Sequence, residues 1–268
     1  MSGRLLACLT LAATVALGPA CGEPEPADDP RSARWTEARA SALGYLRSTR
    51  TELGLDVVVA LQIVGELAED RAALDIADAR RAELSEEDVL ELGRLFDLPK
   101  PVLPPASISA ADAPAAVPSP GAPPPEGAPD VADCLVEALT CEASSPCTEL
   151  GMAEGQWGYV LTHQAVWLLF LRWAGCDTSV DLDDRRVALA AALAAEMTFD
   201  PVMTDLAAER LAMLGHMGFA ASIEDEWIDL VLDAQEPNGC WRLGPGLECH
   251  PHVTGVALWA LAVSLGPG

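Results

Sequence analysis

The chain has 268 residues, with 41 acidic side chains against 16 Lys plus Arg, a net charge of −25, and half of its residues hydrophobic. A charge of that sign and size repels phosphate backbones and anionic lipid headgroups, so nucleic acid is excluded as an expected partner. The length and apolar content suit one large domain or two small ones, with ample material for a core.

The first residues read as a secretory signal. Arg4 supplies one positive charge, Leu5 to Leu17 is an apolar run with no acid or base in it, and Gly18-Pro19-Ala20 places small residues directly before Cys21. At about 13 residues the run is too short for a membrane-spanning helix, which needs roughly 20. Lipoprotein signals resemble this one in ending on a small residue before Cys, so residues 1–20 are expected to be removed and Cys21 to carry a lipid. Ordinary cleavage after Ala20 is the alternative, and both readings export the protein. Residues 21–32 then form an acidic, proline-bearing tether (EPEPADDP at 23–30) to the membrane.

Residues 33–98 read as helical. Leu55 to Leu67 is apolar on nearly every side; Val57-Val58-Val59 alone suits a strand, but the run is long enough to indicate a buried helix. Ser85-Glu86-Glu87-Asp88 resembles a capping box opening a stripe of Val89, Leu90, Leu92, Leu95 and Phe96. Residues 99–130 hold eleven prolines and almost no large apolar residue after Leu103, a composition expected to form an extended or disordered linker.

Residues 131–268 show no sustained alternation, so helices are expected throughout and little sheet. Asp184 to Met197 is alanine-rich and strongly helical. Asp200-Pro201 reads as a helix start continuing through Leu206, Leu211 and Leu214, and Ser222 to Asp225 as a second capping box before Trp227, Leu230, Val231 and Ala234. Six cysteines remain beyond Cys8 and Cys21: Cys134, Cys141, Cys147, Cys176, Cys240 and Cys249. In an exported chain without C-x-x-C they are expected to pair as disulfides, with structural zinc the lesser alternative. Cys240 and Cys249 flank a Gly244-Pro245-Gly246 turn and are expected to bond to each other; how the other four pair is left open.

Two segments of this region repeat one pattern. Gly155-Gln156-Trp157, Thr162-His163 and an apolar run at 165–171 correspond to Gly239-Cys240-Trp241, His252-Val253-Thr254 and an apolar run at 256–263. Each is a turn, a short polar stretch and a buried helix, at a spacing that suits stacked helical hairpins. Gln235, Gly239 and Trp241, in Gln235-Glu236-Pro237-Asn238-Gly239-Cys240-Trp241, resemble the QW motif of squalene–hopene cyclases, in the terpenoid-cyclase and protein-prenyltransferase group. The resemblance covers about 155–175 and 225–265 and implies an all-α, α/α-toroid-like domain with inner helices around a cavity.

The same resemblance nominates chemistry. Asp181-Leu182-Asp183-Asp184 matches the D-x-D-D of class II cyclases, in which the residue corresponding to Asp183 protonates an alkene or epoxide. Arg185 and Arg186 follow at once and would favour an ionised carboxylate, and acids at a helix start are also explained by the helix dipole. Thirteen aromatic residues are few for guiding a carbocation. His250 and His252 could bind Zn or Cu, or His163 and His252 could open buried helices near a pore mouth.

The expected function is therefore an exported, membrane-anchored lipoprotein whose helical domain binds or scaffolds. Its ligand would be an unknown protein or a hydrophobic small molecule, and no cofactor is expected. The rival is a cyclase-like lyase or isomerase using the cavity through Asp183 and His252. A third possibility is a metal-binding surface protein using His250 and His252.

Overall fold

A computed structural model describes residues 30–85, 93–109, 112 and 128–266. The signal segment, Cys21, most of the tether, the expected helix start at 86–92 and most of the proline-rich stretch lie outside these residues. The described residues are all-helical, with ten α-helices, short 3₁₀ turns and no strand beyond one isolated bridge between Arg242 and Cys249. None of those helices is long and apolar enough to cross a membrane.

In chain order the helices are α1 (Pro30–Ser48), α2 (Leu55–Leu67), α3 (Arg71–Arg81), α4 (Val131–Thr140), α5 (Ser145–Met152), α6 (Tyr159–Ala174), α7 (Leu182–Phe199), α8 (Asp205–Leu214), α9 (Asp225–Asp233) and α10 (Pro251–Leu265). Helix α1 begins within the expected tether, because Pro30 suits a first helical position and the Trp35, Ala38, Ala42, Leu46 stripe below it is buried. Helix α2 is buried from Val57 to Gly65, which decides Val57–Val59 for helix. The apolar runs of α6 and α10 are enclosed, as their uniform hydrophobicity requires.

Helix α10 packs against α2, α8, α1 and α9, whereas α6 packs against α4, α5, α7 and α8. Chain segments on either side of the proline-rich stretch thus share one core. The 3₁₀ turn at Gly93–Phe96 bridges α3 and α4: Arg81 lies over the Phe96 ring at 4.7 Å, and Arg94 Nη1 donates to the Leu139 carbonyl at 2.7 Å. Residues 99–109 depart from the unpacked linker that their prolines suggest. Leu103 and Ala106 donate backbone hydrogen bonds to the carbonyls of His216 and Gly218, both at 2.9 Å, and Lys100 is buried. That docking needs Gly218: its φ is +89°, and a Cβ there would lie 2.4 Å from the Pro104 carbonyl oxygen.

Two helix starts differ from the sequence expectation. Helix α7 runs on to Phe199, whose ring packs edge-on against Trp157 at 5.6 Å, so Asp200 ends α7. Helix α8 instead starts at Asp205 behind Thr204, whose hydroxyl accepts from the Ala207 N–H at 3.3 Å. Ser222 is taken up by a 3₁₀ turn (Ala220–Ser222), and Glu224 occupies the position before α9 without a side-chain capping bond.

Three disulfides join Cys134 to Cys147, Cys141 to Cys176 and Cys240 to Cys249. Such bonds persist in oxidising compartments and point to a non-cytoplasmic location. At the QW-like turn, Gln235 Nε2 donates to the Ala38 carbonyl (2.8 Å) and the Gly239 carbonyl (3.0 Å). Trp241 is fully buried, with its indole N–H on the Val231 carbonyl at 2.7 Å. Gly239 has φ +91°, and a Cβ would lie 2.3 Å from the Ser41 carbonyl oxygen, so the turn closes on α1 only with glycine.

Candidate functional site

A cavity of about 180 Å³ lies between α2, α4, α6, α8, α10 and the 93–96 turn. Its body is apolar: Leu55, Val59, Leu95, Leu135, Val166, Phe170, Met213 and Val256, with Trp173 and Trp259. Its polar lining is Asp56, Thr162, His163, Glu209 and His252. Apart from His163 and Glu209, each one helical turn in, these polar residues belong to the first turns of α2, α6 and α10, and together they make a polar mouth.

His252 is the hub of that mouth. Its Nδ1 meets Asp56 Oδ2, while its Nε2 lies 3.2 Å from Asp205 Oδ1 and 3.4 Å from Glu209 Oε1. Burial alone would lower the imidazole pKa, but hydrogen bonds to Asp205, Asp56 and Glu209 outweigh it and push the value up to about 12. The cluster therefore carries one cation among three carboxylates. Burial opposes ionisation of Asp56 as well, yet the His252 bond holds its carboxyl below the usual range.

Hydroxyl groups hold the far oxygens of the other two acids. Tyr159 Oη donates to Asp205 Oδ2 at 2.9 Å, and Thr162 Oγ1 donates to Glu209 Oε2 at 2.5 Å. Burial and the Asp205 carboxylate both raise the Tyr159 phenol, so it stays a donor. Asp205 is only 6% exposed, and its Oδ1 faces His252 Nε2 at 3.2 Å with no other partner among the described residues. One oxygen each from Asp205 and Glu209, with His252 Nε2, forms a donor set within 4.8 Å that could hold a metal ion.

The cavity's aromatic wall is fixed by His216. This fully buried ring sits between Trp173 and Trp259, with centroids at 5.0 and 5.4 Å and near-perpendicular planes. Trp259 Nε1–H donates to His216 Nδ1 at 3.0 Å, so the imidazole proton is on Nε2, which donates to the Lys100 carbonyl at 3.0 Å. Burial pushes the His216 pKa down to about 4, making it a neutral strut.

The nominated residues scatter around this geometry. Asp183 is on the outside at the start of α7, 73% exposed in its side chain and paired with Arg172 at 2.8 Å. Asp181 caps that helix by accepting from the N–H groups of Asp183 and Asp184. Arg185 turns away from both, donating to the carbonyls of Gly151 and Ala153 and to Gln164 Oε1, so it ties α5 to α6. His250 is spent as a cap: its Nδ1 accepts from the His252 N–H at 3.3 Å, while the His252 ring faces the acids instead. His163 lines the cavity with Nδ1 on the Tyr159 carbonyl at 2.6 Å.

Asp56, Tyr159, Thr162, Asp205 and Glu209 were not singled out as site residues from sequence. Asp205 and Glu209 are four apart, hence on one face of α8, but the signal is diluted among 41 acids. No family model, curated protein or solved structure matches the chain.

Proposed function

We propose that the chain is an exported, membrane-anchored binding module with an α/α-toroid-like domain that holds one small, mainly apolar molecule in its axial cavity. The observation that carries this reading is the cavity itself, with its apolar body, two tryptophans and polar groups gathered at one end. Pockets of this make-up hold a ligand by burial and orient it through a few polar contacts. A cavity of about 150 Å³ holds benzene, so 180 Å³ suits a ring or short branched chain of roughly seven to ten heavy atoms. Helices α2, α4, α6, α8 and α10 around the cavity, with the others packed outside them, support the toroid reading. Export is supported by the signal-like start and the three disulfides. The cyclase-like rival keeps His252 at the cavity, but Asp183 lies outside it, which favours binding without catalysis.

Val166→Trp tests the reading by filling the cavity from α6. The unaltered protein should be stabilised by benzene or indole in a thermal-shift titration, and the filled variant should not respond. Equal responses from the two proteins would sink the proposal.

A further inference from the structure

We propose that the mouth of the cavity is a divalent-metal site in which Asp205 Oδ1, Glu209 Oε1 and His252 Nε2 ligate a zinc-class ion. The argument rests on how each donor is aimed. A metal-binding imidazole usually gives its other ring N–H to a carboxylate, which fixes its tautomer and raises its basicity. His252 has that arrangement: Nδ1 is engaged by Asp56, and Nε2 points to the two acids. The acids are oriented in the same manner. Tyr159 holds Asp205 Oδ2 and Thr162 holds Glu209 Oε2, which turns one oxygen of each towards Nε2.

Two further observations distinguish this set from the acidic residues that cover the protein. Asp205 is 6% exposed, and the only partner of its buried Oδ1 among the described residues is His252 Nε2 at 3.2 Å, which leaves lone-pair capacity on that oxygen for an ion placed between the two. Two of the three ligand spacings also come close to those of a zinc site. Tetrahedral ligands at zinc bond lengths of about 2.0–2.2 Å lie roughly 3.3–3.6 Å apart, and Nε2 lies 3.2 and 3.4 Å from the two carboxylate oxygens. The ion takes the place of the Nε2 proton and neutralises the excess carboxylate charge. Three protein ligands leave a fourth position for water or for a polar atom of whatever occupies the cavity, the form of an open rather than a purely structural site. Helices α8 and α10 supply all three ligands, so the site is built on packed elements. This site stands apart from the apolar-ligand reading: it needs the mouth, not the cavity volume.

The test is calorimetric titration of the chelator-treated full-length protein with Zn²⁺, and with Mn²⁺ for comparison. One equivalent of Zn²⁺ should bind, more tightly than Mn²⁺. Asp205→Asn and Glu209→Gln should each weaken it at least tenfold, and Asp56→Asn and Tyr159→Phe, which touch only the orienting bonds, by about 10- to 100-fold. Asp183→Asn, an exposed acid outside the site, should change nothing. If Asp205→Asn does not fold, Tyr159→Phe still decides, because it leaves every ligand in place. Zn²⁺ binding with unchanged affinity in Glu209→Gln and Tyr159→Phe, or no binding at millimolar ion, overturns the site. Val166→Trp separates the two readings: it should abolish the benzene response and leave Zn²⁺ binding intact.

Discussion

Glu196 and Arg210 form the most consequential buried contact behind the site. Their side chains are 1% and 2% exposed, with Arg210 Nε donating to Glu196 Oε2 at 2.6 Å. Glu196 Oε1 also accepts from the Gly158 N–H at 2.9 Å, inside the left-handed turn that sets up Tyr159. Removing one partner leaves an uncompensated charge in the core, which costs about 3–5 kcal/mol, whereas replacing both with apolar groups is often close to neutral. Glu196→Leu and Arg210→Met should therefore each lower Tm by roughly 6–20 °C for a domain of this size. The double variant should cost far less than their sum, a coupling of at least about 2 kcal/mol. Urea titration followed by tryptophan fluorescence, run as a double-mutant cycle, measures this. Single variants within about 1 kcal/mol of the parent, or strict additivity, would refute the reasoning.

Trp241→Ala should cost about 3–5 kcal/mol through the cavity it leaves, whereas Asp183→Asn, exposed and held only by a surface ion pair, should stay within about 1 kcal/mol in the same urea assay. His216 should make stability depend on pH. Its folded pKa of about 4 lies below the ordinary 6.5, so the unfolded chain takes up the proton first as pH falls. Its contribution is therefore complete above pH 6.5 and lost towards pH 4, by roughly 3 kcal/mol. Urea midpoints should fall more steeply across that window in the parent than in His216→Gln; parallel curves would count against a buried neutral imidazole. Cys21→Ser should abolish palmitate labelling and release the protein from membranes, and labelling that survives would leave ordinary cleavage after Ala20.

The helical class was legible because its signals are local. The all-round apolar runs at 55–67, 165–171 and 256–263 demand burial wherever they sit, and the Gly239-Cys240-Trp241 turn needs only glycine's left-handed freedom and a large ring to bury. The Cys240–Cys249 pair was likewise within reach, since only a short loop separates the two residues. Helix starts at 200 and 222 misled because a cap is chosen by competition: α7 gains the Phe199–Trp157 contact by running two residues past Met197, where its alanine-rich stretch ends. The docking of residues 99–109 could not be read from their composition, because their partners are carbonyls of a turn more than a hundred residues away.

The site shows the same division. Sequence alone marked His252 as chemically capable, but it also marked Asp183 and His250, and nothing local separates these three. Tertiary packing does. It brings Asp56 from α2, Asp205 and Glu209 from α8 and His252 from α10 to one cavity mouth, while leaving Asp183 in solvent and using His250 as a cap. A carboxylate's chemistry is set by how much water it loses and which charges then face it. Both are fixed by helices distant in sequence, which is why composition and spacing could name the residue types and only the folded chain could choose among them.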